Sequence, residues 1–281
     1  MRMYGRVSAL AAAAITCSVI VAPPAAASHG RPVRAPVTRV QPGGPLGLAG
    51  GGPTSRKGIT ESTQNVVSDN WGGYVALQPG TRFRYIQATF FVPYVDCTST
   101  PDSFSGHWVG LDGASNGTVE QDGILAACQG STPQYAAWYE MFPQPPVYPD
   151  ITIRPGNSIV ASVYFSASTN RFTLRVTDTT NGEHFTVTRA CPAGSTCARA
   201  SAEAISEAPS GGSGILPLTD FRAEGYSGIT VTSRYGRRGG LRSPFWNTLA
   251  VTTQNTTGTV LDQPTGIFRG TAFSMYWMAE N

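Results

Sequence analysis

The sequence predicts an all-β protein, an antiparallel β-sandwich. Three observations predict it. From Ser68 onward, short runs rich in Val, Ile, Thr, Tyr and Phe alternate with Gly, Pro, Asn and Asp, the texture of strands and turns. About a dozen such runs fall in roughly 210 residues, which fits one sandwich better than two domains. Neither an internal repeat nor a long amphipathic stretch of helical period interrupts them.

Taken in order, strands are expected near residues 71–77, 85–92, 107–111, 118–125, 135–142 and 158–166. Further strands are expected near 171–178, 183–188, 200–207, 229–233, 248–252 and 272–278. The segment 199–207 is ambiguous, because its alanines favour a helix. A helix would place Glu203 and Glu207 four residues apart on one face, a mildly repulsive spacing. As a strand it puts Glu203, Ile205 and Glu207 on one face and Ala202, Ala204 and Ser206 on the other, and the strand is the reading adopted here.

The chain before this domain has a different character. Arg2 and Arg6 precede an apolar run from Val7 to Ala22, and Ala25-Ala26-Ala27 offers a small-residue cleavage pattern, so residues 1–27 read as a secretory signal. Residues 28–67 are rich in Pro, Gly and Arg, with Gly43-Gly44-Pro45 and Gly50-Gly51-Gly52-Pro53, and lack an apolar period. Such a segment buries too little surface to offset its ordering entropy, so it reads as a disordered basic leader or propeptide preceding a domain over 68–281.

Charge divides along the same boundary. The whole chain carries a net +3, but residues 68–281 hold 13 basic and 16 acidic groups, a net of −3. The basic excess belongs to the leader, whose charge after signal removal is +4 and which could lie across an acidic cleft or be a plain linker. Nucleic acid is therefore not an expected partner, and no segment after the signal is long and apolar enough to span a bilayer. A monomer is expected.

Cysteine usage agrees with export. Cys17 lies in the signal, leaving Cys97, Cys128, Cys191 and Cys197, which allow three pairings. Cys191 and Cys197 close a short loop containing Pro192 and Gly194, which favours that pair and leaves Cys97 for Cys128. The spacings lack the close pairs that structural zinc prefers, and no cofactor is expected.

An inventory of chemistry narrows the function. After the signal, the histidines are His29, His107 and His184, with neither a nucleophile-elbow motif nor a zincin helix motif. The domain does carry acids, amides and aromatics at strand spacing. Trp108, Gly110 and Asp112 share one face if extended, as do Val119, Gln121 and Gly123, and Trp138, Glu140 and Phe142. One concave sheet could turn all three sets into a single groove.

Several blocks in order carry a resemblance. They are Asn70-Trp71-Gly72-Gly73, Phe91-Val92-Pro93, Trp108-Val109-Gly110-Leu111-Asp112-Gly113, Thr118-Val119-Glu120-Gln121-Asp122-Gly123, Trp138-Tyr139-Glu140 and Ser201-Ala202-Glu203-Ala204. Together they resemble the glutamic peptidases, the eqolisin family, and in particular its bacterial members. The resemblance implies a concanavalin-like jelly roll whose concave face forms the substrate groove. It implies Glu203 and Gln121 as the catalytic pair, with Trp71, Trp108, Asp112, Trp138, Glu140 and Phe142 lining the cleft. Ala136, Met141, Phe142 and Ala204 depart from the pattern of fungal relatives and bear on subsite specificity and pH dependence.

The expected activity is a secreted, acid-acting endopeptidase that uses an activated water and forms no covalent intermediate, with polypeptides as substrates. Two other readings fit a sandwich of this kind. One is a noncatalytic carbohydrate- or peptide-binding module; the other is a glycoside hydrolase using two carboxylates such as Glu140 and Glu203.

Overall fold

The structure is a computed structural model that describes residues 63–212 and 214–281. The expected signal and residues 28–62 of the expected leader lie outside the described residues. The chain runs through β1 (Thr63–Ser68), β2 (Trp71–Leu77), β3 (Phe83–Phe91), β4 (Phe104–Leu111), β5 (Val119–Gln129), β6 (Thr132–Phe142), β7 (Ser158–Ser166), β8 (Arg171–Asp178) and β9 (His184–Arg189). It continues through β10 (Ser201–Glu207), β11 (Ser210–Gly211), β12 (Gly214–Ile215), β13 (Ala223–Ser233), β14 (Arg238–Gly239), β15 (Asn247–Gln254), β16 (Val260–Pro264) and β17 (Phe273–Trp277). Among the described residues there is no helix.

The strands form an all-β sandwich made by curling one large sheet. Its order is β6-β5-β4-β10-β2-β15-β16-β17-β13-β3-β7-β8-β9, antiparallel along the whole path. The half from β6 to β15 folds onto the half from β17 to β9, so that β4, β5 and β10 pack against β3, β7, β8 and β13. Between them lies the main core, where Tyr74, Val109, Ile124, Tyr139 and Ala204 meet Phe83, Ile86, Phe90, Val163 and Leu174. Each such side chain of Val, Ile, Leu or Phe, fully buried, contributes about 1.5–3 kcal/mol.

Local sequence explains the two kinds of strand. β7 and β8 alternate strictly between buried and more accessible positions, as expected for strands with one wet face. β10 is buried at every position, because a second apolar layer covers its other face. That layer contains Trp71, Val75, Trp108, Val119, Leu125, Trp138, Ile205 and Val251, with Phe142, Tyr148 and Leu216 packed against it.

Segment 199–207 is a strand from Ser201, with Glu203, Ile205 and Glu207 on the second-layer side as the alternation predicts. Both disulfides, Cys97–Cys128 and Cys191–Cys197, are present. Three features differ from expectation. β1 begins at Thr63, within the stretch read as leader, and pairs in parallel with β15 from Thr63↔Thr248 to Ser68↔Thr253. β13 starts six residues before the expected 229, its pattern disguised by Gly225 and by a register shift between Ser227 and Thr230, where Gly228 has φ 61°. β16 was not expected at all, because its one fully buried apolar residue, Leu261, stands beside the buried but polar Asp262 and no apolar alternation marks the segment.

Candidate active site

The strand register builds a row of functional groups across the second-layer face. Gln121 of β5 lies opposite Glu140 of β6 on one side and opposite Gly110 of β4 on the other. Gly110 in turn lies opposite Glu203 of β10, which faces Val75 of β2. Directly paired residues point to the same face, so Glu140, Gln121 and Glu203 project together. Gln121 and Glu203 are two strands apart, about 9–10 Å between backbones, and the residue between them has no side chain.

That glycine is sterically enforced. A Cβ at Gly110 would come within 2.9 Å of Trp108 Cζ3 and 3.2 Å of Gln121 Cβ. Gln121 Nε2 donates to Glu140 Oε2 at 2.8 Å, which fixes the plane of the amide. An amide nitrogen carries two hydrogens, so this bond commits one of them.

The next row along the strands forms the wall. In register stand Trp138, Gly123, Trp108, Ile205 and Gly73, large and null side chains interleaved. A Cβ at Gly123 would lie 2.1 Å from the His107 carbonyl oxygen and 2.6 Å from Trp108 Cβ, so Trp108 and Trp138 stand in space that only glycine leaves. Trp108 donates Nε1 to Glu207 Oε2 at 2.8 Å, and Asn70 Nδ2 donates to Glu207 Oε1 at 3.4 Å. Trp71 meets the Trp108 ring edge-on at 5.0 Å. Phe142, half-buried, closes the β6 end of this layer.

Asp112 has a different job from the groove contact expected of it. It sits just past β4 at φ 76°, and its Oδ2 accepts the Arg199 N–H at 2.6 Å. Its Oδ1 accepts the Ala200 N–H at 2.7 Å and Asn116 Nδ2 at 2.7 Å. The alternation that pointed it into the groove fails because the strand ends at Leu111 and the backbone turns left-handed. Asp112 therefore ties down the start of β10, the strand that carries Glu203.

Glu203 is fully buried, and neither carboxyl oxygen has a hydrogen-bond partner among the described residues. Burial pushes its pKa well above the ordinary range, with nearby Asp112 and Glu120 adding to the rise. The Ser201 hydroxyl opposes the shift electrostatically, although it is not within hydrogen-bonding geometry. Glu120 and Asp122 flank Gln121 on the opposite face, towards the main core, and burial raises both. They are ionisable but turned away from the groove.

Sequence reasoning missed Tyr148 as a site residue. The segment after β6 folds back so that Tyr139 and Val147 exchange backbone hydrogen bonds at 3.0 and 2.9 Å, which brings the next residue, Tyr148, onto the second layer. Burial, then the charge of Glu140, raises the Tyr148 pKa and keeps its phenol protonated. Its only sequence signal was an aromatic among prolines.

A serine relay exists in the wrong place for hydrolysis. His107 Nε2 is 3.0 Å from Ser105 Oγ, and its Nδ1 pairs with Glu224, a Ser-His-Glu chain. All three are buried, and Phe221 packs edge-on against the imidazole, so the group is an internal polar tie between the two halves. Among the described residues no group of three or more His, Cys, Asp or Glu is placed to hold a metal ion.

The β-sandwich thus carries Glu140, Gln121 and Glu203 on one face, beside buried tryptophans. The sequence profile of the Peptidase A4 family matches residues 69–266, and the chain belongs to that family, the glutamic peptidases, hydrolases of peptide bonds. The fold is similar to that of scytalido-glutamic peptidase with a transition-state analogue inhibitor (24% identity, TM-score 0.64, covering 75% of this chain and 98% of that one). It is also similar to SCP-B, an eqolisin in complex with the tripeptide Ala-Ile-His (23%, TM-score 0.60, 75% and 98%). Aspergilloglutamic peptidase from Aspergillus niger is a further likeness (23%, TM-score 0.56, 63% and 100%). No curated protein matches the chain by sequence.

Proposed function

We propose that Glu203 and Gln121 are the catalytic pair of a secreted endopeptidase that works on the acidic side of neutrality. The reading is supported by the row Glu140, Gln121, Gly110, Glu203, which carries two carboxyls and an amide on one face, with Gln121 and Glu203 flanking a residue that has no side chain. In this reading the attacking water lies between the two groups. Glu203 in its ionised form takes a proton from the water as the water attacks the scissile carbonyl. The second N–H of Gln121 stabilises the developing oxyanion, and protonated Glu203 then delivers its proton to the leaving nitrogen.

The raised pKa of Glu203 has two effects. Once ionised, Glu203 is a stronger base than a solvated carboxylate, and it returns as an acid well matched to the leaving amine. Its ionised fraction grows with pH, so the acid limb of the activity profile follows Glu203. Trp71, Trp108 and Trp138, all buried, pack with Phe142 into the apolar layer that supports this row, and Glu140 holds the amide of Gln121.

Digestion of a casein-type substrate from about pH 3 to pH 6, with wild type and Glu203→Gln, tests the proposal. The variant keeps the side-chain shape, so it should lose hydrolysis while its melting temperature stays the same or rises. Folded Glu203→Gln with wild-type turnover would place the base elsewhere.

A further inference from the structure

A cavity of about 410 Å³ lies at the end of the sandwich, where the starts of β3 and β10 meet the ends of β7 and β13. Its lining is led by Arg84, Arg199 and Arg234, with the aromatic side chains of Tyr164, Phe165 and Tyr235. Every basic side chain in residues 68–281 is arginine, the residue whose planar fork matches oxyanions. None of the three is in an ion pair among the described residues.

The arginines are gathered by the backbone despite their repulsion. Phe83 N–H donates to the Arg199 carbonyl at 2.7 Å, and Arg234 N–H donates to the Arg82 carbonyl at 2.7 Å. Three chain segments bearing like charge are thereby stitched together. Arg199 is held at φ 56°, with its guanidinium 3.6 Å from the Phe165 ring centroid and its buried Nε lacking any hydrogen-bond acceptor. Burial lowers the Arg199 pKa first, and the charges of Arg82 and Arg234 lower it further, against Asp112 and Glu120.

A cationic pocket with a buried donor left without an acceptor favours an anion. We propose that this cavity is a binding site for a small phosphoryl anion carrying two or more charges, with Arg84, Arg199 and Arg234 as its ligands and Tyr164 and Tyr235 flanking it. Two or three guanidinium forks converging on one group favour tetrahedral oxyanions over carboxylates or halides. The site is separate from the catalytic row but touches its support. The N–H of Arg199 is the one that Asp112 Oδ2 accepts, and Asp112 anchors the start of the Glu203 strand.

Calorimetric titration of the full chain with inorganic pyrophosphate, and separately with glucose 6-phosphate, distinguishes a free polyphosphate from a phosphate ester. Either should bind saturably at constant ionic strength set with sodium chloride, and should raise the melting temperature with increasing concentration. The Arg84→Gln/Arg234→Gln variant should weaken binding at least about tenfold while leaving casein digestion without added anion unchanged. Arg234→Gln alone, at an exposed position, serves if the double variant does not fold, and should weaken binding at least several-fold. The proposal is overturned by no saturation up to about 10 mM of either anion. It is equally overturned if the variants bind with unchanged affinity, or if chloride at matched ionic strength gives the same stabilisation.

Discussion

Gln121 and Glu203 stand on either side of the same glycine, each opposite Gly110 in the antiparallel register. The separation between the Gln121 and Glu203 backbones is therefore set by the sheet itself. Glu140 adds the third constraint through its 2.8 Å bond to the Gln121 amide. Four consequences can be measured.

Gln121→Ala removes the amide and should lower kcat/KM by roughly 10²-fold or more, mainly in kcat, because the donor acts on charge that appears only in the transition state. Glu140→Gln still accepts from Gln121 through its amide oxygen and should cost much less. Steady-state kinetics on a chromogenic peptide decide it. An equal loss in both variants would make Glu140 a participant in the chemical step.

Gly110→Ala should also be severely impaired. The added methyl meets Trp108 at 2.9 Å and Gln121 at 3.2 Å, between the strands of the two groups proposed as catalytic. The expected loss is roughly 10²-fold in kcat/KM, by analogy with other small displacements of catalytic groups. A variant with wild-type kinetics would mean that the gap is not where water is activated.

Stability should fall as the solution approaches neutrality. Burial raises the pKa of Asp262 from 3.8 to about 6, opposed by the hydroxyls of Thr253 and Ser206 and by His107. A raised carboxyl is protonated more in the folded than in the unfolded chain. Its stabilising contribution is therefore complete below about pH 4 and is lost as pH rises through about 6. Thermal melts across this range should show the fall, and Asp262→Asn, which still accepts from Thr253, should make it shallower. An unchanged slope would assign the effect to the other buried carboxyls, Glu120, Asp122, Glu203 and Glu224.

The leader up to residue 62 should be removable without unfolding the domain, and it should inhibit at low salt near neutrality. Its excess of basic residues opposes the net −3 of residues 68–281. Added leader peptide should slow hydrolysis by the trimmed enzyme at about pH 6 and lose effect with acid or salt. No inhibition at low salt would make it a plain linker.

Much of this arrangement was legible in the sequence, because alternation fixes faces. Glu203 and Ile205 project together, as do Trp138 and Glu140, wherever the strand is regular. What alternation cannot supply is register, so nothing in the sequence alone put Gly110 between Gln121 and Glu203. It also fails where a strand stops, as at Asp112, and where a loop folds back, as at Tyr148. Buried carboxyls such as Asp262 were hidden for another reason: they look like turn or surface residues until a partner such as Thr253 is seen.

The parallel strand β1 sets a limit on maturation. Its six residues cover one side of β15, and Val66 joins the layer that contains Trp71 and Trp108. A processing cut within it would leave part of β15 as a bare edge, the kind of template that recruits strands from other molecules. If the expected leader is removed by proteolysis, a cut at or before about residue 62 keeps β1 in place, whereas a cut further on should expose β15 and favour aggregation.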